Sequence, residues 1–474
     1  MKLTLKDFGP IDEFTLDLTK DIQFIYGENS VGKSYAVFVF YALVKGFLDD
    51  EFHWRFIRRF SRVDKTVQTI EESILVKIGG GEEDLDITQE VTTIIKHFMS
   101  FYSERFRDSF ISKFGGINSL SNQYSDKKFY ISLEVKNFII QLRQKNPEIE
   151  TIVETKGSWE IEQEEDEFSW YLNKRYMFSS TIKHIVGDVI DELMESVSID
   201  IKSSVDKLYS LPASRSGIYV GLNSLTPIIV QLTKGRSRQF ANTLIKLPSL
   251  SEDVSDFFVN ISEINPQDVE EGLSDVVDRI ESKILNGRVT FDDKEKELMF
   301  SQFGTNLKLK LSETSSMVGE LLPVVGFLKY IIKTKKTVQL NLFQDDKKPY
   351  QMKNILIIEE PEAHLHPKTQ VTFMELLTEL PKYGIKLIVT SHSDFMMDKL
   401  SNMILEGKVD AETVGSYRMV MGEKGSYDAG DMKAGKDGIP DKNFVEISEK
   451  LYEERVDIYD QLNEKNAATE YNKS

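Results

Sequence analysis

The chain has 474 residues, 40% hydrophobic and 29% charged, enough apolar material to bury the core of one large α/β domain with an insertion. It contains no cysteine, which excludes a disulfide framework, a thiol nucleophile and cysteine-ligated zinc and suits a reducing cytoplasm. A formal charge of −18 opposes indiscriminate nucleic-acid binding by the whole surface, while a local basic face stays compatible with it. The opening MKLTLKDFGPIDEF lacks the apolar core of a signal peptide, and no later stretch approaches the ~18 apolar residues of a membrane span. A soluble, cytoplasmic protein is expected.

Residues 2–8 and 13–18 read as short strands joined by the turn Phe8-Gly9-Pro10, and 22–26 reads as a third, buried strand. A glycine-rich turn follows, then a helix over 33–50 whose aromatic residues suit a face packed on the sheet. Residues 51–285 read as a long, mainly helical excursion, with helices near 51–78, 88–113 and 180–209 and strands near 129–135 and 150–161. No sustained heptad repeat runs through it, so a compact lobe is expected rather than a coiled-coil arm. Alternating segments at 288–291, 297–300 and 306–311 return the chain to an antiparallel unit, and 345–349 marks a loop. The apolar strands 354–358 and 386–390, separated by a helix near 368–380, give a β-α-β pattern and a parallel sheet. An amphipathic helix then runs to about residue 462, and the polar tail is expected to fray.

Gly27-Glu28-Asn29-Ser30-Val31-Gly32-Lys33-Ser34 fills the eight-position P-loop pattern between a strand and a helix. Its glycines let backbone N–H groups, including that of Asn29, turn onto phosphate oxygens. Lys33 reaches the terminal phosphates, and Ser34 is a Mg²⁺ ligand. The strand at 355–358 ends in Glu359-Glu360, which supplies an acid for the Mg²⁺ shell, Glu359, and a general base for the attacking water, Glu360. His392 follows another buried strand, where it can reach the γ-phosphate or the water. His364 and His366 have the alternate spacing of a metal pair, but a loop after a Mg²⁺-binding strand accounts for them without zinc. ATP and Mg²⁺ are therefore the expected ligands.

Taken together, GENSVGKS, ILIIEEPEAHLHP and LIVTSHS resemble the ABC-type ATPase heads that include SMC proteins, RecF-like repair proteins and the OLD (overcoming lysogenization defect) family. The resemblance implies an α/β P-loop head, a mixed sheet with flanking helices, carrying a large mainly helical insertion. It divides the chain into 1–50 (first part of the head), 51–285 (insertion), 286–415 (second part) and 416–474 (docking or dimerising segment). It assigns Glu360 as catalytic, His392 as the switch histidine and the residues around Leu365-His366-Pro367 as the D-loop. It also places a signature segment at 311–321, where Ser315 and Ser316 would meet the γ-phosphate bound by a second subunit, with Met317 where a glycine is usual. Leu211-Pro212-Ala213-Ser214-Arg215 is similar to a segment of OLD-like ATPases, which would bring Arg215 near nucleotide or a subunit interface.

The resemblance further implies a Mg²⁺-dependent ATPase acting as a homodimer or higher homo-oligomer. The stretch after His392 lacks a Glu with Asp-x-Asp set, so no intrinsic nuclease is expected. Stand-alone heads of this kind resemble the ATPase subunits of Septu-, Gabija- or PARIS-like phage-defence systems. That implies a separate effector, a nuclease or toxin, with DNA or a phage protein as the candidate trigger and no membrane. The alternative is a RecF-like ATPase of repair or recombination that clamps DNA, for which residues 53–62 and 234–238 are the basic clusters.

Overall fold

The computed structural model describes residues 1–48, 65–79, 84–125, 127–136, 138–145, 148–156, 160–163, 170–172, 175–177, 201, 204–221, 250–334, 354–440 and 444–471. The basic clusters 53–62 and 234–238, the loop 345–349 and residues 180–200, 202 and 203 of the helix expected over 180–209 lie outside the described residues, and the end of that expected helix is instead a strand, Leu208–Leu211, paired into the sheet.

The main sheet has eleven strands: β1 (Lys2–Phe8), β2 (Ile11–Asp17), β3 (Ile22–Gly27), β4 (Tyr130–Glu134), β5 (Phe138–Lys145), β6 (Glu148–Thr155), β7 (Leu208–Leu211), β8 (Asn354–Glu359), β9 (Ile385–Ser391), β10 (Val414–Gly422) and β11 (Gly425–Asp428). Their spatial order is β7-β8-β9-β3-β10-β11-β2-β1-β4-β5-β6. From β7 to β10 every pairing is parallel, whereas β1 pairs antiparallel with both β2 and β4, and β4–β5 and β5–β6 are antiparallel too. The sheet is thus mixed.

Every residue of β3 and β8 is buried, as expected for parallel strands covered on both faces. Alternate side chains feed two cores. Ile25, Ile355, Ile357 and Ile388 pack with the helix Lys33–Leu48 and the helix Thr88–Phe114 on one face. Phe24, Leu356, Ile358 and Val389 pack with the helices Ser316–Gly326, Pro367–Leu377 and Asp394–Leu405 on the other. The result is a three-layer α/β/α head, with the ends of β3, β8 and β9 side by side.

Two features adjust the domain limits read from sequence. β10 pairs in parallel with the P-loop strand itself and β11 continues to β2, so the head runs past residue 415 to at least Asp428. Within 51–285, β4 to β6 extend the sheet beyond β1, and β7 covers the free side of β8. β4 alternates buried and half-buried residues, whereas β7 is buried throughout; by pairing with β1 and β8 they cover edges that would otherwise be bare. The excursion's remaining described residues include the helices Lys65–Gly79, Thr88–Phe114 and Glu252–Ser262 and a small four-stranded sheet. The antiparallel unit expected near 288–311 is present as Gly287–Asp292, Glu297–Gln302 and Lys308–Lys310.

The last helix, Phe444–Tyr471, leaves Leu451, Tyr452, Val456, Ile458, Tyr459 and Leu462 exposed. Among the described residues no helix is long and apolar enough to cross a membrane.

Candidate active site

The P-loop leaves the buried β3 and turns into the helix Lys33–Leu48. Gly27 and Gly32 are required by space: a Cβ on Gly27 would stand 2.5 Å from the Met419 carbonyl oxygen, and one on Gly32, where φ is +90°, 2.8 Å from Ile11. Ser30 adopts φ +65°, a left-handed conformation that costs a non-glycine residue about 1–3 kcal/mol and is typical of phosphate-gripping turns. Asn29 is exposed at the loop tip.

Lys33 is only 6% exposed. Its ammonium donates to the carbonyls of Gly27 and Glu28, each at 2.8 Å, and lies 3.2 Å from both ring nitrogens of His392. Burial pulls its pKa down to about 8, against the opposing pull of Glu360, Glu362 and Glu359.

β8 delivers the two acids. Glu359 is 5% exposed and hydrogen-bonded by Ser34, and burial pushes its pKa up. Glu360 leaves the strand at φ +45° and donates its N–H to the Thr390 carbonyl of β9 at 2.9 Å. Its carboxylate lies 3.3 Å from Nε2 of His392. That hydrogen bond, together with the charges of Lys33 and Arg215, holds Glu360 below the usual carboxylate range. It therefore stays ionised near neutral pH, able to accept a proton from, or orient, a water molecule.

β9 presents His392 between Lys33 and Glu360. Its backbone is fixed by a residue that motif matching passed over: Glu362 accepts from the His392 N–H at 2.5 Å and from the Ser391 hydroxyl at 2.9 Å. The signal was a third acid two positions after Glu360, inside a motif already assigned to other work. Ser393 caps the helix Asp394–Leu405 and donates to Gln370 at 2.6 Å, tying that turn to the neighbouring helix.

The structure therefore brings together Gly27, Gly32, Lys33, Ser34, Glu359, Glu360 and His392. Ser315 and Ser316 are exposed at the start of the helix Ser316–Gly326, and among the described residues no hydrogen bond or ion pair joins them to that group. His366 caps the helix Pro367–Leu377, its Nδ1 accepting from the Lys368 N–H. No cluster of three or more His, Cys, Asp or Glu is arranged to hold a metal among the described residues.

Arg215 departs from expectation. It is fully buried, pairs with Glu320 at 3.3 Å and donates to the backbone carbonyls of Glu359 and Glu360, so it reaches neither nucleotide nor an outer surface. A buried guanidinium is stable only when its donors are paired, and the turn after β7 places it where those carbonyls are available.

The family model described as AAA ATPase domain matches residues 1–397. The chain belongs to the AAA ATPase domain family. It is accordingly an ATP-binding ATPase. Among solved structures this AAA ATPase domain is similar to the SMC head domain from Thermotoga maritima, at 13% identity and a TM-score of 0.29, covering 90% of this chain and 97% of that one. It is also similar to an SmcHead bound to the C-winged helix domain of ScpA (14%, TM-score 0.35, 90% and 96% covered). A third likeness is to the Smc head domain with an extended coiled coil bound to the C-terminal domain of ScpA, derived from Pyrococcus furiosus (13%, TM-score 0.34, 90% and 95%). No curated protein matches the chain.

Mg²⁺ suits the donors at hand. It accepts one or two protein oxygens plus phosphates and waters rather than a full protein cage, and Ser34 with Glu359 offers such a pair of adjacent hard oxygens. Bound there, the cation would supply charge neutralisation for the phosphates.

The Lys33 shift has a measurable consequence. Phosphate binding needs the ammonium, so affinity for a non-hydrolysable ATP analogue is expected to be flat below pH ~8 and to fall about tenfold per unit above it. Titrations on the AAA ATPase domain from about pH 7 to about pH 9.5 test this, and a flat profile would detach affinity from the charge on Lys33.

Proposed function

We propose that this ATPase is a cytoplasmic homodimer or higher homo-oligomer that closes on ATP and Mg²⁺ and reopens on hydrolysis. Its cycle controls a separate effector, a nuclease or toxin, in a bacterial anti-phage complex. The observation that carries the dimer is the division of the site. Lys33, Ser34, Glu359, Glu360 and His392 are assembled within one chain, whereas Ser315 and Ser316 lie exposed at the start of an eleven-residue helix. The first turn of such a helix offers unpaired N–H groups and a positive dipole end, and the motif resemblance assigns it the γ-phosphate on a second copy.

Within each site the P-loop amides and Lys33 hold the phosphates, Glu360 polarises the attacking water, and His392, steadied by Glu362, bridges base and phosphate. The effector reading rests on the resemblance of the three motifs to stand-alone defence ATPases. The exposed apolar residues of Phe444–Tyr471 suit the docking role read from the sequence.

The test uses Glu360→Gln protein, sized with and without ATP. A nucleotide-dependent dimer is expected. Adding Ser316→Glu should keep it monomeric with ATP affinity unchanged, since an acid in a helix's first turn does not weaken the helix but repels phosphate. A dimer that survives Ser316→Glu would remove the signature assignment. Purification of the ATP-locked protein from its native host then addresses the partner: a stoichiometric nuclease or toxin supports the effector, and nucleic acid alone replaces it with a repair-type DNA clamp.

A further inference from the structure

We propose that Arg215 and Glu320 are positioning residues that tie the signature helix to the backbone of Glu359 and Glu360, so that docking of this helix on a second copy sets the catalytic carboxylate of its own chain. The proposal rests on the dimer reading above and adds to it a route by which the two ATP sites of a dimer sense each other.

The contacts form one continuous buried cluster. Arg215 Nη1 donates to the Glu359 carbonyl at 2.7 Å and to the Pro212 carbonyl at 3.3 Å, Nη2 to the Glu360 carbonyl at 3.4 Å, and Nε to the Glu320 carbonyl at 3.2 Å. Glu320 answers with its carboxylate, which accepts from the backbone N–H groups of Arg215 and Ser216 at 3.1 and 3.3 Å and from the Ser216 hydroxyl at 2.6 Å. Arg215 and Glu320 are 0% and 1% exposed. Water has little room to lubricate the joint.

Both ends of the cluster meet the chemistry. Glu360 sits at φ +45° and Ser214, just before Arg215, at φ +56°. A non-glycine residue holds such a conformation only when its surroundings over-determine it, and the guanidinium on the Glu360 carbonyl does so. At the other end, Glu320 lies four residues after Ser316, one turn along the same helix face. Gly319 brings that helix close to the turn: a Cβ there would stand 3.2 Å from the Ser216 Cβ. A shift of the helix as Ser315 and Ser316 engage phosphate would move Glu320, then Arg215, then the Glu360 carbonyl. The pair is shut off from solvent and acts on Glu360 through the position of its backbone carbonyl and through the charge of Arg215.

Three variants test this: Glu320→Gln, which keeps shape and removes charge; Arg215→Lys, which keeps charge and removes the fork; and Gly319→Ala, which pushes helix and turn apart. Each is measured for melting temperature, affinity for a non-hydrolysable ATP analogue, kcat and the Hill coefficient for ATP. The expected result is analogue affinity within about twofold of wild type, kcat lower by roughly 10- to 100-fold, as for small misplacement of a catalytic group, and a Hill coefficient falling toward one. Gly319→Ala should show the same pattern more mildly, and it keeps the test open should Arg215→Lys not fold. Wild-type kcat and cooperativity in the folded variants would overturn the proposal. So would kcat and affinity falling together with melting temperature, which marks a merely structural pair. The dimer reading is judged separately: if Glu360→Gln protein does not dimerise on ATP, both fall, whereas a dimer with wild-type behaviour in the variants removes the coupling alone.

Discussion

Replacing Glu360 with glutamine is expected to lower kcat by about 10²- to 10⁴-fold, the range for loss of a positioned general base, while ATP affinity stays within about twofold. The change is conservative in volume, and the amide can still meet His392 across the present 3.3 Å. The backbone is held independently, by the Glu360 N–H on the Thr390 carbonyl and the Arg215 guanidinium on the Glu360 carbonyl, so the left-handed turn survives. What disappears is the anion facing the water. Steady-state turnover beside equilibrium ATP binding is the measurement. Undiminished turnover would pass the base role to another group, and lost binding would show the carboxylate to be part of the phosphate cradle. The charge change also has a signed side effect. Glu360 is the strongest attraction raising the Lys33 pKa against desolvation, so the variant's loss of ATP affinity with rising pH should begin below pH ~8.

The nucleotide site was legible in sequence because its determinants are local. A P-loop is one turn between one strand and one helix, and Gly27, Gly32, Lys33 and Ser34 fall at fixed spacing within it. The apolar run ending in Glu359-Glu360 and the strand before His392 signal their own burial in the same way. What stayed hidden depends on pairing between distant residues. Arg215 and Glu320 are 105 positions apart, and nothing in either segment announces the other. Glu320 sits in an otherwise apolar helix and reads as a lone acid until the turn after β7 is placed beside it. β10, with the mixed sequence VGSYRMVMG, carries neither clean alternation nor a continuous apolar run, and only its parallel register with β3 reveals it as part of the head. β4 alternates plainly enough, but alternation says that a strand has a face and not which edge it covers, and β5, FIIQLRQK, breaks the alternation with adjacent isoleucines. Glu362 was legible as an acid and illegible as the clamp on His392, because its partners lie on β9 and come close only when the parallel sheet forms.

Replacing Lys33 with alanine is expected to abolish ATP binding at concentrations that saturate the wild type, with turnover lost as a consequence. The ammonium is the P-loop's own cation, buried to 6% exposure and held by the loop carbonyls of Gly27 and Glu28. Its removal therefore subtracts the charge that meets phosphate and also the donor that draws the two ends of the loop together. Glu360 would then face the incoming polyanion without the Lys33 charge that now offsets it, and like charges so placed repel. Stability should change far less than binding. Burial of Lys33 holds a charge in a dry site at a desolvation penalty, and its loss removes that penalty along with two hydrogen bonds to carbonyls. A thermal melt separates the two effects. ATP at about 100 times its dissociation constant stabilises the wild type by about 2.7 kcal/mol, whereas Lys33→Ala protein should melt near the unliganded wild-type temperature with or without ATP. An ATP-dependent rise in the variant equal to that of wild type would show that the backbone amides alone hold the phosphates. A large drop in the unliganded melting temperature would show that Lys33 serves the fold before it serves the nucleotide.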